Sequence, residues 1–71
     1  MKNNDIEKKF GAAIRNLRNR RGISQDELAR RARLQRTYIS DIERGARNTS
    51  LRSIKKLADA LNVSLQMLFR L

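Results

Sequence analysis

Apolar residues recur at spacings of three and four along nearly the whole chain, and nowhere do they alternate with polar residues over several positions. That spacing lays an apolar stripe along one face of a helix, whereas a half-buried strand needs a period of two. There is no proline, and only Gly11, Gly22 and Gly45 interrupt the pattern, so the chain is expected to be all-α, in five helices. The first runs from about Asp5 to Arg20 with Ile6, Phe10, Ile14 and Leu17 as its stripe, and Gly22 follows as a left-handed cap. The second opens on Ser24-Gln25-Asp26-Glu27, the pattern of a capping box, in which the Ser24 hydroxyl accepts from the Glu27 amide and the Glu27 carboxylate reaches back to the Ser24 amide. Leu28, Ala29 and Ala32 form its inward face. The third covers roughly Arg36 to Arg44, with Ile39 and Ile42 inward and Gly45 ending it. Asn48-Thr49-Ser50 starts a fourth, with Leu51, Ile54, Leu57, Ala58 and Leu61 in its stripe; Asn62 stops it, and Ser64 caps a short fifth.

A chain of 71 residues is read as one domain spanning 1–71. At that length folding hides only about 60% of the unfolded surface, so a second copy is an attractive source of further burial. The last helix carries Leu65, Met67, Leu68, Phe69 and Leu71, too many apolar groups for one side; some should pack inside, and the set is expected to form a homodimer interface. There is no cysteine and no histidine, which removes disulfides and the thiolate and imidazole ligands of zinc; no metal and no cofactor are expected. The inventory also lacks a glycine loop for phosphates and a pair of carboxylates in an apolar pocket, so the chain is read as not an enzyme and as having no catalytic residues.

Charge then indicates the partner. Lys and Arg number 17 against 7 Asp and Glu, a net +10, and so basic a small body attracts polyanions, of which nucleic acid is the usual one. No apolar run approaches the ~20 residues of a membrane span, and the N-terminal MKNNDIEKKF lacks the apolar stretch of a signal peptide. No membrane partner is expected, and the location is read as cytoplasmic, associated with the nucleoid. A membrane-active or protein-binding helical module is the competing class; it is disfavoured because the apolar stripes are used up by a common core.

The second and third helices are joined by only Arg33-Leu34-Gln35, which forces a steep crossing, with small Ala29 at the approach. Opposite Ile39 and Ile42 the third helix carries Gln35, Arg36, Thr37, Ser40, Asp41 and Arg44, a protruding polar face. This is the layout of a helix-turn-helix whose second helix enters the major groove of DNA with its N-terminal residues foremost.

At this point the chain resembles a known family. Gln25-x-x-Leu28-Ala29-x-x-Ala32, then Tyr38-Ile39-Ser40-x-Ile42-Glu43-Arg44-Gly45, then Leu57-Ala58-x-Ala60-Leu61-Asn62-Val63 look like the phage-repressor/Cro-type (XRE) helix-turn-helix regulators, over about residues 10–69. The run RTYISDIERGARNTS from Arg36 is similar to that of controller proteins of restriction–modification genes; a phage-type repressor or an antitoxin-like autoregulator of the same fold is the alternative. The resemblance implies a five-helix, lambda-repressor-like domain and homodimers on double-stranded operators with paired half-sites. Ser24 and Gln25 match phosphate-anchoring positions, where free amides and a helix dipole favour an anion, although Ser24 is a cap in either case. Arg36 and Thr37 match base-reading positions: Arg36 can bridge guanine O6 and N7, and Thr37 can meet a thymine methyl or a phosphate. Gln35 and Ser40 share that face. Asp41 can accept from cytosine N4 or hold Arg36 or Arg44 in place. Tyr38 either lies near the DNA backbone or packs the turn. Arg47 and Asn48 match backbone-gripping loop positions, and Arg44 and Arg52 are further phosphate candidates. Arg18 and Glu43 match a buried structural ion pair that does not touch DNA. Acidic Asp41 and Glu43 raise RNA polymerase as a second partner. Because the chain ends just after the fifth helix, no small-molecule effector is expected, and regulation is assigned to concentration, operator layout and dimerisation. Arg33 stands where the family usually has glycine; a left-handed backbone there costs on the order of 1 kcal/mol.

Overall fold

Five helices make up the computed structural model, which describes residues 5–70: α1 (Asp5–Arg20), α2 (Gln25–Ala32), α3 (Arg36–Glu43), α4 (Leu51–Leu61) and α5 (Leu65–Leu68). Serines start three of them. The hydroxyl oxygens of Ser24, Ser50 and Ser64 accept from the amides of Glu27, Ser53 and Met67 at 3.0, 3.1 and 3.1 Å, each satisfying a donor that the helix itself leaves unpaired. Only half of the expected capping box forms. The Glu27 carboxylate is taken by Arg30 and Arg31, because charged donors on the same helix face outcompete one backbone amide. Arg30 first, and then Arg31, hold this carboxyl below its usual range.

Four of the helices end alike. Gly22, Arg33, Gly45 and Asn62 adopt left-handed backbones, with φ of 68°, 59°, 73° and 58°. After each of them an amide reaches back five residues, Ile23 to Arg18, Leu34 to Ala29, Ala46 to Asp41 and Val63 to Ala58. This is the Schellman closure, which turns the chain sharply while satisfying the last carbonyls. At Arg33 the turn keeps the left-handed form despite the side chain, and Arg33 lies exposed.

The core joins all five helices through Phe10, Ile14, Leu28, Ile39, Ile42, Leu57, Leu61 and Leu68, with the small Ala29, Ala32 and Ala58 between them. Gly11 lets α1 touch the backbone of α3, since a Cβ there would lie 2.1 Å from the Ile42 carbonyl oxygen. Arg21 ties down the end of α4 by donating to the carbonyls of Leu61 and Asn62 at 2.9 and 3.2 Å.

Three stripe expectations change. Ile6 and Leu51 are 56% and 82% exposed, because each sits in the first turn of its helix, beyond the body against which the rest of the stripe packs. Leu68 is fully buried as the anchor of α5, so it belongs to the protomer core and is unavailable to the homodimer interface; Leu65, Met67 and Phe69 remain exposed, and Leu71 lies outside the described residues. Among the described residues no helix is long and apolar enough to cross a membrane. Replacing Arg33 by glycine should relieve its backbone strain and raise unfolding stability by roughly 0.5–1 kcal/mol after glycine's own entropy cost, measurable as a higher urea midpoint at unchanged slope; a lower midpoint would show that the Arg33 conformation is unstrained.

Candidate nucleic-acid interface

The surface of interest begins with what points inward. Ile39 and Ile42 are buried, and Leu34 is packed against the same core, so one side of α3 is anchored and the other is forced outward. Eight residues make a helix about 12 Å long, close to the ~12 Å width of a B-DNA major groove. Gln35, the residue preceding α3, makes no side-chain cap, unlike the serines that cap α2, α4 and α5.

Gln35, Arg36 and Thr37 are exposed at the N-terminal end of this face, Ser40 and Asp41 are half-buried along it, and Arg44, Arg47 and Asn48 are exposed at its far end. Arg52 is exposed in the first turn of α4. The fold therefore brings the base-reading candidates and most of the backbone candidates to the same side chain row and its following loop.

The orientation of α3 is set by a buried cluster. Arg18 Nε donates to Glu43 Oε2 at 2.7 Å and its Nη2 to Oε1 at 3.1 Å, while Nη1 donates to the Ile23 carbonyl at 2.9 Å. The two side chains are 13% and 4% exposed, and the Glu43 hydrogen bond raises the Arg18 pKa further above its usual value. Gln25 joins them, its Nε2 donating to Glu43 Oε1 at 3.0 Å. One N–H of the amide expected to grip a phosphate is thus given to the structural pair, which leaves Gln25 its second N–H as a donor. Sequence spacing could not reveal this bond, which exists only because α2 crosses α3.

Tyr38 packs against the core, and its hydroxyl donates to Ser53 Oγ at 3.3 Å. The Arg47 guanidinium lies over its ring at 4.7 Å from the centroid, a cation–π contact. The packing role is realised, and one face of the ring is covered by a candidate phosphate-binding arginine. Asp41 pairs with Arg44, and its Oδ2 accepts from Arg47 Nη2 at 3.2 Å. Arg47 first, and then Arg44, lower its pKa. Asp41 does not pair with Arg36, which instead lies 3.2 Å from Asp26 at the start of α2. Asp26 was missed by sequence reasoning, ten positions away and joined to the site by tertiary crossing alone. With Glu43 buried and Asp41 paired to two arginines, these two residues do not form an open acidic patch. Among the described residues no group of three or more His, Cys, Asp or Glu could hold a metal ion.

A family model described as helix-turn-helix matches residues 14–68. The chain is 49% identical over 61 residues to the control protein C.BamHI of Bacillus amyloliquefaciens, covering 84% of this chain and 75% of that protein. It is 40% identical over 67 residues to the control protein C.MunI of a Mycoplasma species, covering 93% and 90%. The crystal structure of the restriction–modification controller protein C.AhdI from Aeromonas hydrophila superposes with a TM-score of 0.90 at 45% identity, covering 92% of this chain and 98% of that one.

Glu43→Gln, which strips the buried Arg18 of its counter-charge, should cost about 2–4 kcal/mol of unfolding free energy. Chemical denaturation followed by circular dichroism measures it; a loss below that of an ordinary surface ion pair would remove the cluster from its structural role.

Proposed function

The chain belongs to the XRE-type helix-turn-helix family of DNA-binding regulators, and on that premise we propose that it is a homodimeric, sequence-specific regulator that controls restriction–modification genes from paired operator half-sites. The observation that carries the reading is the outward face of α3, with Arg36 and Thr37 leading and Arg44, Arg47 and Asn48 behind, on a helix whose end is held by the buried Arg18–Glu43 pair. Arg36, with Thr37, Gln35 and Ser40, reads base edges; Arg44, Arg47, Asn48 and Arg52 neutralise phosphates. The control-protein names of its relatives support restriction–modification genes as the target.

The homodimer uses the apolar groups that the protomer leaves outside. Leu65, Met67 and Phe69 are 43%, 43% and 50% exposed, and the Phe69 ring stacks on Phe10 at 6.0 Å beside an open cleft of about 170 Å³ that Ile6, Phe10 and Ile54 also line. A second copy would cover this apolar surface, which a small protomer cannot fold over by itself.

Selection from randomised DNA tests the reading of sequence. Arg36→Ala should weaken the selected site by about 1–3 kcal/mol and relax one base preference; an unchanged preference would take Arg36 out of the base-reading set. Dimerisation needs point substitutions, because truncating α5 would remove the core residue Leu68. Leu65→Glu with Met67→Glu should shift sedimentation equilibrium to protomers while leaving the helical signal intact, and a double variant that still sediments as a dimer places the interface elsewhere.

A further inference from the structure

Three arginines of the proposed DNA face already have partners. Arg44 and Arg47 both hold the carboxylate of Asp41, one through each oxygen, and Arg36 lies against Asp26. The Asp26 pair is open to solvent, with side chains 64% and 76% exposed. Asp41 differs. Its side chain is only 20% exposed, it sits in the middle of the outward face of α3, and it engages two phosphate candidates at once. Such a residue is out of place on a surface that a polyanion is meant to approach, since an unshielded carboxylate there repels every phosphate alike.

We propose, resting on the DNA-binding reading above, that Asp41 is a specificity gate. In the free protein it occupies Arg44 and Arg47, so DNA of any sequence can recruit those arginines only by taking them from the carboxylate. An exchange of one anion for another returns little, and it leaves Asp41 ionised against the groove. The base it meets then decides the outcome. A strand position carrying cytosine N4 or adenine N6 offers the carboxylate a hydrogen-bond donor, whereas guanine O6 or thymine O4 offers only another acceptor. A cognate operator therefore replaces the partners that Asp41 loses, and random DNA does not. Discrimination arises by penalising the wrong sites rather than by tightening the right one. Arg47 and Arg44 lower the Asp41 pKa, which keeps the gate charged at neutral pH.

The test compares Asp41→Asn with the wild-type chain on a random-sequence duplex and on the operator obtained by selection, over a salt series. Two variants control it: Asp41→Glu keeps the charge, and Asp59→Asn removes an equal charge from α4, where Asp59 pairs with Lys55. Thermal melts confirm that each variant is folded. Asp41→Asn should bind random DNA about three- to tenfold more tightly, the scale of two exposed ion pairs released, with a salt slope steeper by about one to two units as the freed arginines reach phosphates. Operator affinity should rise less, so the ratio of operator to random binding falls. Asp41→Glu and Asp59→Asn should stay within about twofold of wild type on random DNA. Random-DNA affinity and slope unchanged in Asp41→Asn would overturn the gate alone. So would an equal gain in Asp59→Asn or Asp41→Glu, or an equal gain on operator and random duplex. A wild-type chain that shows no salt-dependent binding to either duplex would overturn the DNA-binding reading and the gate with it.

Discussion

The Glu43 carboxylate is the point on which the geometry of the molecule turns. It accepts from Arg18 of α1 and from Gln25 of α2 while belonging to α3 itself, and Arg18 spends its remaining nitrogen on the Ile23 carbonyl between α1 and α2. One nearly enclosed carboxylate thus relates three helices. Burying this pair carries a desolvation cost that its attraction only roughly offsets, so apolar residues of the same volume would give comparable stability. What they would not give is directional bonding, which sharpens the orientation that burial of Ile39 and Ile42 already sets for α3. Two hydrogen bonds from a rigid guanidinium hold the end of α3 in that orientation. Gly11 completes the arrangement by letting α1 press on the carbonyl at the end of α3.

With the direction of α3 fixed, its sequence can be given over to recognition. The excess of cations over anions, 17 to 7, would attract any nucleic acid, yet Asp26, Glu27, Asp41, Glu43 and Asp59 each hold an arginine or a lysine. Intramolecular pairing lowers the number of cations left open to a polyanion without changing the net charge.

Some expectations failed for a common reason. Ile6 and Leu51 continue perfectly good helical stripes and still lie in solvent. Leu68 continues the stripe of a four-residue helix and is fully enclosed. Periodicity states which residues share a face; it does not state how far along the helix the opposing surface extends. The same limit applies to polar groups. Glu27 had the spacing to close a capping box and was drawn off by Arg30 and Arg31.

What the sequence by itself determined is therefore local and chemical. The number of helices, their serine starts, their left-handed ends and the polar face of α3 all follow from neighbours within five positions, where hydrogen-bond geometry and the helical repeat leave few alternatives. Net charge, a sum independent of conformation, pointed to nucleic acid. Only the tertiary structure decided which partner each charged or amide side chain takes. Arg36 with Asp26, Arg47 with Asp41 and Tyr38, and Arg21 with the end of α4 are settled by helix crossings and turns, because a long polar side chain has several satisfactory partners and distance alone selects among them.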